Sequence, residues 1–386
     1  MTQRSGPLSG TKIVEFTGIG PGPFVTMMLS DLGAEVVRID KQGGASINPM
    51  AGTPHEVDAR GRRSIALDLK QPAAIEVALE LLDGADAMLE GFRPGVMERL
   101  GLGPDVACAR NKKLVYARMT GWGQTGPLAQ AAGHDINYIA ISGALHAIGV
   151  RERPAIPLNF LGDYGGALVM VIGMLAALFN ARATGRGQVV DTAMSDAAVY
   201  LTTIFHAMGQ AGVWREKRES NMADGGMPYY NVYRCADDEW ISIGSIEPQF
   251  YAELVQKTGL PSRFAQSQND PALWTEMRAE LSKIFLSKPR QYWCEVMEGS
   301  NVCFAPVLKF SEAPKHPHNV ARAAFVNVSG VVQPAPVPKF SVTPAQVQGP
   351  PPKPGEHSAA ILADWGFDAA AIRKLEADGV IKPTGG

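Results

Sequence analysis

Two short segments of the chain carry side chains that could move protons. His134 and Asp135 stand together after a glycine-rich stretch, and Asp163 directly precedes a long apolar helical pattern. The imidazole of a histidine titrates near neutral pH and can serve as an acid or a base. The N-terminal end of a helix favours a charged carboxylate, so Asp163 suits the role of base or nucleophile. Helix capping is the alternative role that the sequence leaves open for Asp135 and Asp163.

A glycine-rich loop at residues 18–23 is similar to a dinucleotide-binding loop, because it follows one apolar strand and precedes another that ends at Asp40. Two of its positions are Pro21 and Pro23, which have no N–H group to donate to a pyrophosphate. A nicotinamide site is therefore disfavoured. The pattern instead predicts a tight turn followed by a helix with proline in its first turn.

Alternating strand and helix patterns predict the framework that positions these side chains. Short β-rich runs occupy residues 12–16, 35–40, 64–69, 87–92, 114–120 and 188–193. The segment 73–82 has apolar residues on one helical face and Glu76 and Glu80 on another. Strands that alternate with helices predict an α/β fold with a doubly wound parallel sheet, whose ligands bind at the carboxyl ends of the strands.

Changes of composition along the chain predict four regions. Residues 1–195 form the first part of a large domain, 196–226 a linker helix region, 227–325 a smaller α+β domain that begins with a hairpin, and 326–386 a proline-rich return that completes the large domain. The uncharged stretch 164–181 would just reach membrane length. A single segment of this kind is more typical of a buried core helix.

Composition and charge exclude several classes of protein. The 386 residues carry a formal net charge of −2, from 36 Lys and Arg against 38 Asp and Glu, which disfavours a general nucleic-acid or membrane-surface binder. The four cysteines are widely spaced, so we expect neither a disulfide framework nor a zinc site. No cluster of His, Asp and Glu has the spacing of a metal site. The reducing compartment that this implies and the lack of an apolar leader predict a cytoplasmic protein.

Several short motifs follow one another along nearly the whole chain. They are GPLSG, IGPGP, DLGAEVVRID, GFRPGVMERLG, ARMTGWGQTGP, GHDINY, GDYGG, TGRGQVVD and GEH. This set resembles the family III CoA-transferases, and within that family it is most similar to the alpha-methylacyl-CoA racemase branch. Each motif is short, but their order and number make the resemblance specific.

The resemblance implies an interlocked homodimer with a Rossmann-like large domain, built from both chain ends, and a smaller α+β domain. It places the active site at the subunit interface. The acid/base residues of the family fall on His134 and Asp163, with Asp135 as a neighbour, and Glu247 of the partner subunit orients His134. The implied ligand is an acyl-CoA thioester. Because CoA is part of this substrate, no separate cofactor is expected.

The CoA contacts implied by the resemblance lie mostly after predicted strands. They are Arg38, Leu67, Asp68, Leu69, Lys70, Gly91, Phe92, Arg93, Arg99, Gly133, Ile136, Asn137 and Tyr138. Arg60, Arg62 and Arg63 are further candidates for clamping a phosphate. A run of surface arginines is more often simply solvated, so these three stay outside the predicted site.

The racemase and transferase branches differ at positions that are visible in the sequence. The transferases use the aspartate at the position of Asp163 as a nucleophile and lack the histidine found here as His134. They also have a longer glycine run where this chain has only residues 224–227. Both differences favour a racemase of 2-methylacyl-CoA thioesters. The alternatives are a CoA-transferase and a non-catalytic CoA-binding dimer.

Racemisation beside a thioester needs two acid/base groups on opposite sides of the α-carbon. An α-proton is far less acidic than an imidazole of pKa about 6.5, so the thioester oxygen must also be stabilised as an enolate. We expect backbone N–H groups at the helix start near Asp163 to provide this stabilisation, and no metal.

Overall fold

The computed structural model describes residues 4–16, 18–43 and 48–382. Its strands are β1 (Lys12–Phe16), β2 (Glu35–Lys41), β3 (Arg63–Leu67), β4 (Ala87–Glu90), β5 (Val115–Thr120), β6 (Gly149–Val150), β7 (Arg153–Pro154), β8 (Val189–Ala193), β9 (Tyr230–Arg234), β10 (Trp240–Gly244), β11 (Phe304–Val307), β12 (Phe325–Val328) and β13 (Val331–Pro334). The strands predicted from the sequence are present, with ends that differ by a few residues.

The helices alternate with the strands in the first half of the chain and dominate the second half. They are α1 (Pro21–Asp31), α2 (Pro72–Asp83), α3 (Val96–Arg99), α4 (Pro104–Arg110), α5 (Asp135–Ile141), α6 (Ala144–Ala147), α7 (Gly165–Thr184), α8 (Met194–Leu201), α9 (Thr203–Gln210), α10 (Pro248–Thr258), α11 (Trp274–Leu286), α12 (Arg290–Met297), α13 (Pro317–Ala321), α14 (Ser358–Asp364) and α15 (Ala369–Ala377).

Six strands form one sheet in the order β3-β2-β1-β4-β5-β8. All neighbouring strands are parallel; Ile13, for example, lies beside Val36 on one side and Ala87 on the other. The strand order reverses between β1 and β4, which opens a crevice at the carboxyl ends of these strands. The predicted α/β fold with a doubly wound parallel sheet is therefore confirmed.

Helices cover both faces of this sheet. On one face, α2 and α14 bury side chains such as Leu82 and Ile361 against the strands. On the other face, α1 and α7 bury Leu29 and Met170. Each side chain of this size contributes roughly 1.5–3 kcal/mol when it is fully buried. Because α14 lies near the end of the sequence, both chain ends build the large unit, as predicted.

Helix α7 and the turn before it, Phe160–Thr184, are long and apolar enough to cross a membrane by length and composition. The helix packs one face against the sheet, and half of its most apolar window is buried. The opposite face exposes Leu168, Ile172 and Phe179 by 48%, 67% and 79%. The predicted buried core helix is therefore buried along one side only.

The chain divides into two compact units. The first holds the parallel sheet and takes its described residues from Met1–Ser142, Leu158–Leu201 and Arg322–Gly386. The second comprises Gly143–Pro157 and Thr202–Ala321. The boundaries predicted from the sequence differ from this division. They assigned residues 143–157 to the large domain and 196–226 to a linker region.

The second unit has its own core. An antiparallel sheet in the order β11-β10-β9 packs against α10, α11 and α12, which lie between β10 and β11 in the sequence. Tyr233, Phe285 and Trp293 are buried together, and the indole N–H of Trp293 donates to the carbonyl of Phe285 at 2.9 Å. This arrangement agrees with the predicted smaller α+β domain and its opening hairpin.

The arginines near the start of β3 are held in ion pairs instead of being solvated. Arg60 donates to Asp31 at 2.6 Å, and both side chains are at most 5% exposed. Arg62 pairs with Glu15 of β1 and is fully buried, while Arg63 also has carboxylate partners. The expectation of a solvated arginine run is therefore wrong. Their engagement with carboxylates also removes these arginines as free phosphate clamps.

Arg60 also anchors the proline-rich return of the chain. Its Nη1 donates to the side-chain oxygen of Gln333 and to the carbonyl of Pro334, both at 2.8 Å. The N–H of Gln346 donates to the carbonyl of Asp31 at 3.0 Å. The return contains no helix or strand between β13 and α14. Polar contacts with the sheet unit thus replace regular structure along this segment.

Replacing Arg60 by methionine should destabilise the protein by about 3–5 kcal/mol, because Asp31 stays buried without its partner. Unfolding in urea measures this loss. The matched control is Arg110→Met, whose ion pairs lie at the surface and contribute less than about 1 kcal/mol. Equal losses in the two variants would contradict the role assigned to Arg60.

Candidate active site

A cavity of about 460 Å³ lies at the carboxyl ends of β1, β4 and β5, where the strand order reverses. Phe16, Glu90 and Thr120 end these strands and line the cavity. The loop 18–22 forms another wall. Gly20 in this loop has a φ of 76°, and α1 has proline in its first turn, as predicted. The cavity thus occupies the place where ligands of doubly wound sheets bind.

His134 lines this cavity at the start of α5. It is the N-cap residue of the helix. Its backbone N–H donates to Oδ1 of Asn137 at 3.0 Å, and the N–H of Asn137 donates to the carbonyl of His134 at 2.8 Å. These reciprocal bonds fix the start of the helix and therefore the point from which the imidazole extends.

Asp163 lines the same cavity from a π-helical turn, Phe160–Tyr164, that leads into α7. The carboxylate of Asp135 holds this turn, because its Oδ1 accepts the N–H of Gly162 at 2.7 Å and the N–H of Asp163 at 2.8 Å. Position 162 requires glycine, since a Cβ would lie 2.6 Å from this Oδ1. Asp135 therefore joins the start of α5, beside His134, to the turn that carries Asp163.

Neither Asp163 nor Asp135 caps the helix next to it in the sequence. The side chain of Asp163 makes no capping bond to α7, and its Oδ2 accepts a hydrogen bond from Nδ2 of Asn159 at 3.3 Å. Asp135 does accept backbone N–H groups, but they belong to the turn before α7 and not to its own helix. Asp163 is thus not a cap, and Asp135 connects two elements.

Burial raises the pKa of Asp163 above its usual value. The amide of Asn159 opposes this shift, the carboxylate of Asp135 adds to it, and His134 lowers the pKa again. The net direction is upward, although the helix terminus alone favours the charged form. Protonated Asp163 therefore persists to a higher pH than an exposed aspartic acid, and this side chain can serve as an acid or as a base.

An aromatic wall closes one side of the cavity. Trp122 and Tyr138 pack edge to face with ring centroids 4.8 Å apart. Glycines make room for them, because a Cβ on Gly121 would lie 2.3 Å from the Tyr138 ring and one on Gly133 would lie 2.9 Å from the Trp122 ring. The Tyr138 hydroxyl donates to the carbonyl of Gly133, and burial raises the pKa of Tyr138 to about 12. Tyr138 is therefore neutral and shapes the cavity.

The predicted CoA contacts fall into three groups. Those that line the cavity together with His134 and Asp163 are Gly91, Phe92, Arg93, Gly133 and Tyr138. Those that are not in its lining but end or follow β3, follow β4 or lie in α5 are Leu67, Asp68, Leu69, Lys70, Arg99, Ile136 and Asn137. Lys70, Arg93 and Arg99 are exposed. Each of them follows a strand at the carboxyl edge of the sheet, where it could meet a charged ligand.

Arg38 forms the third group alone. It is only 3% exposed, its Nε donates to Asp40 at 2.9 Å, and its Nη1 donates to Glu56 at 2.9 Å. A phosphate could reach this guanidinium only by displacing a carboxylate. The structure therefore does not place Arg38 at the cavity, and its contact with CoA stays a prediction.

The backbone donors expected to stabilise an enolate near Asp163 are already engaged. Gly162 and Asp163 donate to Asp135. The next N–H group, that of Tyr164, donates to the carbonyl of Asn159 at 3.1 Å. The expectation that these groups stabilise an enolate is therefore wrong, because the π-helical turn and Asp135 use them.

Glu247 belongs to the second unit, where it is the exposed N-cap residue of α10. Its side chain makes no capping hydrogen bond. Its role in orienting His134 of another subunit stays a prediction.

Sequence patterns alone did not single out Asn159, Trp122 or Glu90 as parts of the site. Asn159 carried one usable signal, because a residue four positions before Asp163 can share a helical face with it. Glu90 gives no such signal. Its carboxylate is buried at the end of β4 and accepts a hydrogen bond from Nε of Arg118 at 2.9 Å. Only the strand order brings Arg118 next to it.

Comparison with known proteins decides the family. The family model described as CoA-transferase family III matches residues 8–358. The chain belongs to this family. It is 41% identical to the alpha-methylacyl-CoA racemases of Mus musculus and Homo sapiens, over 97% of this chain and 97% of each relative. A solved structure of a hypothetical protein from Mycobacterium tuberculosis matches with a TM-score of 0.79 and 29% identity, over 94% of this chain and 100% of that one. The resemblance seen in the motifs is confirmed.

Asp163→Asn should stabilise the folded protein at alkaline pH, because it removes a carboxylate that is ionised in a partly buried site. A raised pKa means that the folded chain binds this proton more tightly than the unfolded chain does. The contribution of Asp163 to stability is therefore present at acid pH and is lost as the pH rises through the folded-state pKa. Calorimetric Tm differences between variant and wild type should grow with pH, and a constant difference would contradict the raised pKa.

Proposed function

We propose that this protein racemises 2-methylacyl-CoA thioesters at the α-carbon, with His134 and Asp163 as its two acid/base groups. The observation that carries the proposal is that both side chains line one cavity at the reversal of strand order in a chain so similar to the mammalian racemases. CoA enters as part of the substrate, and we propose no further cofactor.

The proposed reaction moves one proton off the α-carbon and another one on. Neutral His134 accepts the α-proton, and the electron pair of the broken C–H bond moves onto the thioester oxygen as an enolate. Protonated Asp163 then donates its proton to the opposite face of the same carbon. For the other enantiomer, ionised Asp163 is the base and protonated His134 is the acid. The raised pKa of Asp163 supports this exchange, because it brings the carboxyl closer to the imidazole in proton affinity.

The enolate oxygen needs hydrogen-bond donors, and we assign them to the start of α5. The N–H groups of Asp135 and Ile136 occupy its first turn, where no helical acceptor is available to them. Neither residue is in the lining of the cavity, but both directly follow His134, which is. Donors that are oriented before the reaction stabilise the developing charge without reorganisation.

We assign recognition of CoA to the exposed cations at this edge of the sheet. Lys70 follows β3, and Arg93 and Arg99 follow β4. The polyanionic part of CoA would meet these side chains, while its thioester end reaches the cavity. A net charge of −2 does not oppose the binding of CoA. Several of the carboxylates that contribute to this charge are buried and paired with Arg38, Arg60 and Arg62, so they do not face the ligand.

We further propose a homodimer, in which the exposed apolar face of α7 meets a second copy of the chain. Leu168, Ile172 and Phe179 lie at helical spacing on this face. An apolar stripe of this kind on a soluble protein is typical of an interaction surface. The dimer would also allow Glu247 of the partner subunit to orient His134, as the family resemblance implies.

The first test follows the α-proton directly. Wild-type enzyme with one enantiomer of a 2-methylacyl-CoA in D₂O should produce the racemate with deuterium at the α-carbon, without an added acceptor acid. His134→Ala and Asp163→Asn should each lower the rate at least about 100-fold, because each removes one general acid/base. Chiral chromatography and mass spectrometry measure both products.

His318→Ala is the matched control, because His318 is an exposed histidine in the second unit and its loss should leave the rate unchanged. A covalent Asp163 adduct that hydroxylamine traps, together with retention of configuration and of the α-proton, would instead support a CoA-transferase.

The second test concerns the dimer. Ile172→Glu and Phe179→Glu each place a charge on the apolar face of α7 and should shift the protein from dimer to monomer in light scattering. Val106→Glu is the control, because Val106 is an isolated apolar residue on α4 with 42% exposure. A dimer that survives both changes on α7 would remove this face from the interface.

A further inference from the structure

Asn159 contacts the turn that carries Asp163 twice. Its Nδ2 donates to Oδ2 of Asp163 at 3.3 Å, and its backbone carbonyl accepts the N–H of Tyr164 at 3.1 Å. Asn159 is half-buried and stands just before the π-helical turn. It therefore contacts both the reacting side chain and the backbone that supports it.

The two oxygens of Asp163 have different surroundings. Oδ2 accepts the hydrogen bond from Asn159, whereas no donor within residues 4–16, 18–43 and 48–382 reaches Oδ1. The backbone of Asp163 is fixed independently by Asp135, through the N–H groups of residues 162 and 163. The carboxylate thus has one oxygen that accepts a hydrogen bond from Asn159 and one that no donor among the described residues reaches.

An amide NH₂ group is a donor and has no acceptor capacity. Its hydrogen bond is strongest when Oδ2 carries negative charge and no proton. The contact therefore favours the ionised carboxylate over the carboxylic acid, and within the acid it favours the proton on Oδ1.

We propose that Asn159 is a positioning residue for proton transfer, which keeps Oδ2 of Asp163 as an acceptor and directs the transferred proton to Oδ1. In the resting enzyme it also limits the fraction of Asp163 that is protonated. This inference rests on the proposed racemase function and assigns a role to a residue outside the His134 and Asp163 pair.

Few other groups act on Asp163. Asp135 and Tyr138 face it from α5, and His134 lies at the start of the same helix. Gly20, at the start of α1, also faces Asp163 and brings no charge; a Cβ at this position would lie 3.7 Å from Oδ2. Burial and Asp135 raise the pKa of Asp163, and Asn159 and His134 lower it. Without the Asn159 amide, His134 would be the only one of these groups that lowers the pKa of Asp163.

The test is the pH profile of kcat/KM for α-deuterium exchange. In Asn159→Leu, which keeps the size of the side chain but loses the donor, the acid limb should move up by about one pH unit, or about tenfold in rate on that limb. Asn159→Asp places a second carboxylate there and should move the limb further. The alkaline limb should stay in place. Asn159→Gln keeps a donor and should restore much of the wild-type acid limb.

A second measurement does not depend on catalysis. Infrared difference spectra of the ligand-free enzyme, taken against Asp163→Asn, report the titration of the Asp163 carboxyl. This titration should move to higher pH in Asn159→Leu and in Asn159→Asp, in the same direction as the acid limb. Asn180→Leu, an exposed asparagine near the end of α7, is the control and should change neither measurement.

Several outcomes are informative. If Asn159→Leu does not fold, the Asp and Gln variants provide the comparison. If the Asn159 variants have a lower kcat but neither the acid limb nor the carboxyl titration moves, Asn159 has only a structural role and the inference is overturned. A wild-type enzyme without α-exchange would overturn the racemase function, and the expected infrared shift would then show only that Asn159 sets the ionisation of Asp163.

Discussion

The active site depends on one carboxylate oxygen, Oδ1 of Asp135, which accepts two backbone N–H groups of the turn before α7. Hydrogen bonds with one charged partner are roughly twice as strong as neutral ones. Because Asp135 directly follows His134, this contact fixes the start of α5, which bears the imidazole, relative to the turn that bears Asp163. Neither α5 nor the turn could place both groups at one cavity by itself.

The large unit separates its structural cations from those that can meet a ligand. Arg38, Arg60 and Arg62 are buried beside carboxylates, where the loss of hydration is offset only by close ion pairs. Lys70 follows β3 and Arg93 follows β4, at the carboxyl ends of these strands, and both side chains stay in contact with solvent. A chain of almost zero net charge can therefore still present positive charge at one edge of its sheet.

The sheet and its helices could be predicted from the sequence because strand and helix periodicities are local signals, and so could the loop with Pro21. The burial of Arg62 could not, since its partner Glu15 lies 47 residues away and only the order of the strands joins them. The engaged N–H groups near Asp163 were missed for a related reason. A helix start predicts free donors, whereas the tertiary contact with Asp135 consumes them.

Helix α14 covers part of the sheet but lies near the end of the chain, so the sheet is fully covered only late in synthesis. The outer strand β3 meets α14, which follows it by about three quarters of the length of the chain. On the ribosome, Ile65 and its neighbours therefore lack part of their cover while the second unit, with its separate core, is already translated. A nascent chain released before Asp364 would leave an apolar edge open to aggregation.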